Sequence, residues 1–413
     1  MVTILIITTF TALCIWIYFL LYLLKSFKQS PTFHFLTNAN TNNKPLKVSI
    51  IIAARNEEKY IEKCLDSLLK QDYANFEIIG VDDSSSDKTF EIMQENQLIN
   101  PDKMTVINAG LPPDEWVGKN WACYQGYLNS TGEIFLFTDA DTVCSTSTLS
   151  IAVEYLSKDK LDALTVRPNI ICKSLWSKIV FPVILTFSHV KYSALRVNND
   201  KSKKHGYFFG CFYLITRRTY ETIGTHNEVK NEIIEDVALG EKVKQCGYKI
   251  RMYRGEHHIN TVAAGGFGTI LQGLRRSINL IPFSSNDTFS TFLTWFFLVK
   301  PFFVFLYSAL LLLQVYNSFT EHNLLNQHLL IISLVTISII ILTTVIQSRI
   351  GISQSLLYGF TSPLAGLLMS FVFVLLLINR RNTGICSIDW RGRQNVITKV
   401  QKLNTLKENK NKT

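Results

Sequence analysis

Three stretches of this chain carry no charged residue over the length that crossing a bilayer requires: Val2 to Leu24, Gln327 to Ser348 and Ser355 to Ile378. Each exceeds the roughly 18 apolar residues that mark a spanning helix, and a fourth apolar stretch runs from Pro301 to Thr320. The pattern predicts a multi-pass protein of the cell membrane and argues against a purely soluble enzyme. Composition agrees, since 18% of residues are charged, against roughly 25% in soluble domains, while 47% are hydrophobic. The 413 residues leave room for two to three folding units, so a sizeable soluble domain is expected beside the spans.

The first stretch lacks a basic region before it and an A-x-A-like cleavage site, so it is expected to stay as an anchor. Lys25 and Lys28 follow it, and the positive-inside rule then places the next region in the cytosol. The eight cysteines form no C-x-x-C pair, which suits small buried hydrophobes in a reducing compartment. The net charge of +10 is concentrated late in the chain. From Asn379 onward, nine Lys or Arg stand against Asp389 and Glu408. A basic tail directly after an apolar span points to anionic lipid, and no nucleic-acid-binding signature accompanies it, so no nucleic-acid partner is expected.

These features predict an anchor over 1–25, a linker over 26–45, a cytosolic domain over 46–285, a membrane region over 286–379 and a basic tail over 380–413. Lys300 would cost about 3 kcal/mol at a span centre, so the span should begin at Pro301, which suits a first helical turn. Three crossings would put the tail outside, whereas its basic residues favour the inside; one stretch, around Lys300 and Pro301, is therefore expected to be re-entrant. Leu175 to Leu195 reads either as a surface-lying helix or as plain core. Thr269 to Leu280, after the glycines at 265, 266 and 268, reads as an interfacial helix.

Within 46–285 the texture is α/β. Apolar Val48 to Ile52, a helical pattern from Glu57 to Gln71, and apolar Phe76 to Val81 make a βαβ unit, and Glu133 to Thr138 supplies a further strand. Further helices are expected over Asp87 to Gln97 and Lys119 to Asn129. The expected fold is α/β with a mostly parallel central sheet. Parallel strands end on one edge, where open α/β folds bind ligands. Asp82-Asp83-Ser84-Ser85-Ser86-Asp87 follows one strand and Asp139-Ala140-Asp141 another, so topology should gather them. A D-x-D turn offers hard oxygen ligands suited to Mg²⁺ or Mn²⁺ on a diphosphate, or it is a solvated turn with a helix cap. Glu235-Asp236 opens a helical segment; Asp236 is either a general base or a complement to the helix dipole. The residues alone thus reach a metal-assisted, nucleotide-dependent transferase.

Val48 to Glu58, Ser67 to Tyr73 and Glu77 to Thr89, with the T-D-A-D at 138–141 and the E-D at 235–236, resemble the family 2 glycosyltransferases. The resemblance covers about residues 46 to 280. It implies a GT-A fold and an inverting, metal-dependent reaction with a nucleoside-diphosphate sugar, a UDP-sugar being expected. It places Ala53, Arg55, Glu57, Asp82 and Asp83 around the nucleoside, Asp141 with Asp139 on the metal, and Asp236 as the base. Gly118-Lys119-Asn120-Trp121-Ala122 resembles a further family segment, making Lys119 either a nucleotide contact or an exposed helix lysine. Leu111 to Lys119, Val166-Arg167-Pro168 and Asp389 to Arg393 are similar to membrane-anchored enzymes acting on carotenoid-type and hopanoid-type lipids, which implies a membrane lipid acceptor. Processive synthases carry Q-x-x-R-W, whereas Gln272 to Arg276 ends in arginine. This departure disfavours a polymer synthase and leaves Arg275 either on the diphosphate or on lipid headgroups. A non-catalytic scaffold is the remaining alternative, and the three intact acidic clusters argue against it.

Overall fold

The computed structural model describes residues 2–35, 45–263, 265–279, 309–317, 324–352, 354–383, 386–390 and 393–397. They divide into two compact units: Ser26–Ile171 with Val190–Val262, and Met1–Lys25 with Cys172–His189 and Ala263–Thr413.

The first unit is built on β1 (Val48–Ala54), β2 (Phe76–Asp82), β3 (Met104–Asn108), β4 (Ile134–Asp139), β5 (Thr142–Cys144), β6 (Ala163–Arg167), β7 (Asn169–Ile171), β8 (Tyr213–Thr216), β9 (Ile250–Arg254) and β10 (Ile259–Val262). The large sheet runs β3-β2-β1-β4-β8-β6-β9, and a small one runs β5-β10-β7. In the large sheet β8 is antiparallel to β4 and β6, while the other pairs are parallel. The central sheet is thus mostly parallel, as expected.

Continuous apolar runs make these strands because both sheet faces are covered, and the two-residue period deals their side chains alternately to two cores. Ile50, Ile52 and Leu136 enter one core with Leu65, Met93 and Leu149. Ile51, Phe135 and Phe137 enter the other with Ala122, Tyr220 and Leu239. The helices Ile61–Leu69, Thr89–Ile99 and Gly118–Leu128 match the expected segments with ends shifted by a few residues. Cys64, Cys123, Cys144 and Cys211 are buried thiols, as expected; Cys14 and Cys246 are exposed.

One part of the expected linker is not a loose connection. Phe33 donates its amide to the Arg254 carbonyl (2.8 Å) and Arg254 donates to Pro31 (2.9 Å), so residues 31–33 pair with the outer edge of β9. Phe33 is buried beside Tyr155, Tyr253 and His258. A single large apolar side chain in a polar stretch secures the segment, since burying it is worth about 1.5–3 kcal/mol.

In the second unit the segments Thr9–Gln29 and Asn326–Gly351 are long and apolar enough to cross a membrane by length and composition. The stretch from Ser355 to Ile378 is not one continuous helix. A 3-10 turn, Leu356–Thr361, precedes the helix Ser362–Thr383. A Cβ on Gly359 would lie 2.5 Å from the Val345 Cα, so this turn meets the helix Leu324–Ile346 backbone to backbone, and Thr344 Oγ1 donates to the Gly359 carbonyl (2.9 Å).

The helix Leu175–Lys191 continues through Pro182 and buries Ile179, Val180 and Val183 with Ile270, Ala365 and Val372, which is the packing expected of core on that face. A helix, Phe267–Asn279, forms over the segment read as interfacial. Lys300, Pro301 and the re-entrant turn expected there lie outside the described residues. Within the basic tail, Cys386–Trp390 and Arg393–Ile397 pair as an antiparallel hairpin.

Candidate active site

The two acidic clusters end strands that flank β1 on either side. Ala54 is in register with Asp82, and Ala53 with Asp139, so β1 separates the carboxylates by two strand spacings, about 10 Å. Ala53 therefore lies between the cluster after β2 and that after β4.

On the β2 side, two loops are stitched together by short polar groups. Arg55 donates through Nη1 to the Ser84 carbonyl (2.7 Å) and to that of Asp83. The Asn56 amide meets Ser85 Oγ (3.1 Å), Ser86 N donates to Asn56 Oδ1 (2.8 Å), and the Glu57 amide meets Thr89 Oγ1 (2.7 Å). Asn56 and Ser84 hold left-handed φ values of 52° and 53°, uncommon away from glycine and frequent at functional loops. Asp82 is buried and accepts from the Ser85 amide (3.1 Å), while buried Asp83 donates its own amide to Ala54 (2.8 Å). Arg55, Glu57, Asp82 and Asp83 are thus gathered into one cradle whose geometry is set mainly by backbone groups.

On the β4 side the organising group is Lys119, in the first turn of the helix Gly118–Leu128. Its Nζ meets Asp139 Oδ1 at 2.9 Å and Glu235 Oε1 at 2.5 Å. Its side chain is 20% exposed and that of Glu235 only 5%, which removes the reading of Lys119 as an exposed helix lysine. Burial pulls Lys119 down, but the carboxylates of Asp139, Glu235 and Asp236 together raise it well above the ordinary lysine value. Glu235 and Asp236 open the helix Glu235–Gln245. Asp236 Oδ1 accepts from the Val237 amide (2.8 Å), and a Cβ on Gly210 would lie 2.7 Å from Oδ2. Burial, reinforced by Glu235, pushes Asp236 up to about 7, against the opposing pull of Lys119. A carboxyl near 7 is suited to accept a proton at neutral pH.

Asp139 and Asp141 are both half-buried, and Asp141 Oδ1 accepts from Thr261 Oγ1 (3.1 Å) on β10. Two hard carboxylates in one turn fit a Mg²⁺ or Mn²⁺ ion that takes its remaining oxygens from a diphosphate and water. Arg275 lies on the helix Phe267–Asn279 of the other unit, and its side chain is outside the described residues. Sequence reasoning overlooked Gly210 and the Lys119–Glu235 pair; the spacing of G-K at 118–119 and E-D at 235–236 signalled two motifs but not their contact.

Residues 49–224 match the family model described as glycosyl transferase family 2. That segment is similar to the family 2 glycosyltransferases. A 4,4'-diaponeurosporenoate glycosyltransferase of Staphylococcus haemolyticus is 28% identical over 55% of this chain and 59% of its own length. One of the same name from Staphylococcus aureus is 28% identical over 52% and 56%. The chain therefore spans a little over half the length of the curated relatives it matches. Among solved structures, a mannosyltransferase from Pyrobaculum calidifontis in complex with GDP-Man and Mn²⁺ covers 84% of this chain and 97% of its own at 17% identity, with a TM-score of 0.46. TarS 1-349 of S. aureus in complex with UDP-GlcNAc covers 85% and 97% at 17% identity, with a TM-score of 0.40. At such scores neither neighbour bears on the chemistry of this site.

Proposed function

We propose that the protein is a membrane-bound inverting glycosyltransferase that moves a single sugar from a nucleoside-diphosphate donor, a UDP-sugar first among them, to a hydroxyl or carboxyl of an isoprenoid-like lipid. The observation that carries this reading is the Lys119 bridge, which ties the D-x-D turn, inside the segment that matches the family 2 model, to the helix that starts at Glu235-Asp236, just beyond that segment. In the proposed step the acceptor oxygen attacks the anomeric carbon, Asp236 taking the proton of a hydroxyl acceptor while a carboxyl acceptor attacks as the carboxylate it already is, and the bond to the diphosphate oxygen breaks with its electron pair leaving on the diphosphate. The cradle of Arg55, Glu57, Asp82 and Asp83 would hold the nucleoside. A Mg²⁺ or Mn²⁺ ion on Asp141 with Asp139 would offset the charge gathering on the leaving diphosphate.

Support for a bilayer comes from an inversion of burial. On the helix Leu324–Ile346 the buried face carries Ser333, Thr336, Thr343 and Thr344 beside Leu329 and Ile340, while Ile331, Leu334, Val335 and Leu342 are 43% to 58% exposed. Small polar residues packed inward and large apolar ones outward suit lipid rather than water. With Lys25 and Lys28 after the first apolar helix, we place the first unit on the cytosolic face of the cell membrane. The lipid class rests on the name of the relatives, which specifies diaponeurosporenoate.

The test uses the full-length protein in detergent, a radiolabelled UDP-sugar and lipid extract. Asp236→Asn should lower transfer by about 10³-fold, within the range expected for a lost general base, while donor binding by calorimetry is retained. Near-normal transfer in the variant removes Asp236 from the mechanism, and a long polymer in place of a one-sugar glycolipid overturns the single-transfer reading.

A further inference from the structure

The segment 206–210 and the helix Glu235–Gln245 approach each other through glycines at matching four-residue intervals. A Cβ on Gly206 would lie 1.7 Å from the Gly240 carbonyl oxygen, and one on Gly240 would lie 2.7 Å from the Tyr207 amide nitrogen. One turn of helix earlier, a Cβ on Gly210 would meet Asp236 Oδ2 at 2.7 Å and Cγ at 3.4 Å, with Lys119 Nζ at 3.5 Å. Positions 206 and 240 thus touch at one end and 210 and 236 at the other, which makes the crossing antiparallel. Residues four apart on a helix share a face, so Asp236 and Gly240 present the same stripe to this segment.

The two contacts differ in kind. At Gly206 and Gly240 main chain meets main chain, and nothing there can yield without moving the helix. At Gly210 the bare backbone meets a side chain, the carboxylate of Asp236, whose other oxygen is held by the Val237 amide.

We propose that Gly210 is a positioning residue for Asp236: the absent side chain at 210 leaves the space in which the carboxylate is seated beside Lys119. The inference rests on the reading of Asp236 as the base and adds the device that sets its place. The Gly206–Gly240 crossing fixes the distance between segment and helix, and Gly210 then fixes where the acid group stops. Any side chain at 210 displaces the carboxylate, and misplacement of a reacting group by about 1 Å costs on the order of 10²-fold in rate.

The experiment compares Gly210→Ala, Gly210→Ser and Asp236→Asn in the full-length protein. The readouts are kcat and KM for the donor, donor binding by calorimetry, and the melting temperature. Both Gly210 variants should lose about 10²-fold in kcat to a similar extent, since a Cβ is common to both, with donor binding and melting temperature close to the parent. A merely structural glycine would instead lower the melting temperature and disturb donor binding together. Full turnover in Gly210→Ala beside an inactive Asp236→Asn overturns the positioning role and leaves the base intact. An active Asp236→Asn overturns the base itself. Loss of fold in Gly210→Ala also overturns the inference, because the clash it describes is with side-chain atoms alone.

Discussion

The loops after β1 and β2 are held by hydrogen bonds between polar side chains and backbone groups, whereas the neighbouring centre at β4 is held by charge, through one lysine between carboxylates separated by almost 100 residues of chain. The first construction tolerates exchange of individual groups, since each neutral hydrogen bond contributes about 0.5–1.5 kcal/mol. The second depends on a single cation, because removing one partner of a buried pair leaves the other charge uncompensated. On the proposed reading, a nucleoside cradle needs only shape and a few donors, while a base poised near neutrality needs a controlled field, and the two constructions suit those different demands.

Lys119→Met should expose that contrast most strongly. With Glu235 buried and left without its cation, the folded state should lose about 3 kcal/mol in chemical denaturation and transfer should fall by 10²-fold or more. Unchanged stability would show that the lysine is dispensable and that the two sides are built alike.

A smaller effect follows from the field at Asp236. In its proposed role Asp236 works only as the carboxylate, and a pKa near 7 means that the ionised fraction drops tenfold per pH unit below that value. Turnover should therefore rise with pH, level off above about 7.5 and be roughly 30-fold lower at pH 5.5, as a kcat profile would record; a profile flat from pH 5.5 to 8 would place the titrating group elsewhere. The smallest effect is expected at the cradle. Arg55→Lys keeps the charge but replaces the planar guanidinium whose Nη1 donates to both the Asp83 and Ser84 carbonyls with a differently placed ammonium, so donor KM should rise about five- to tenfold with kcat preserved. A large fall in kcat there would blur the division between the halves.

Much of this was legible from the residues in order. β1, β2 and β4 announce themselves as apolar runs, the latter two ended by acidic turns, and the helices between them follow from local spacing. Arg55, Asp82 and Asp83 fall in one cradle because their loops leave neighbouring parallel strands. Other features depended on topology that local patterns do not encode. That β1 separates Asp82 from Asp139 follows from strand order. Lys119 meets Glu235 only because their two helices place their first turns together. Gly210 looked like one glycine among twenty. Pro31 to Phe33 read as linker because one aromatic in a polar stretch carries no periodicity, and the bend at Gly359 was hidden inside an apolar run that looked continuous.

The pairing of Pro31 and Phe33 with Arg254 also bears on the order in which the protein is made. These residues are synthesised more than 200 positions apart, directly after the first apolar helix and at the last strand of the large sheet. A ribosome must therefore release nearly the whole of the first unit before the earliest part of it finds its partner. Until then the outer edge of the sheet and the place for Phe33 stay open, so completion of the domain is set by the arrival of its end and not by the folding of its beginning.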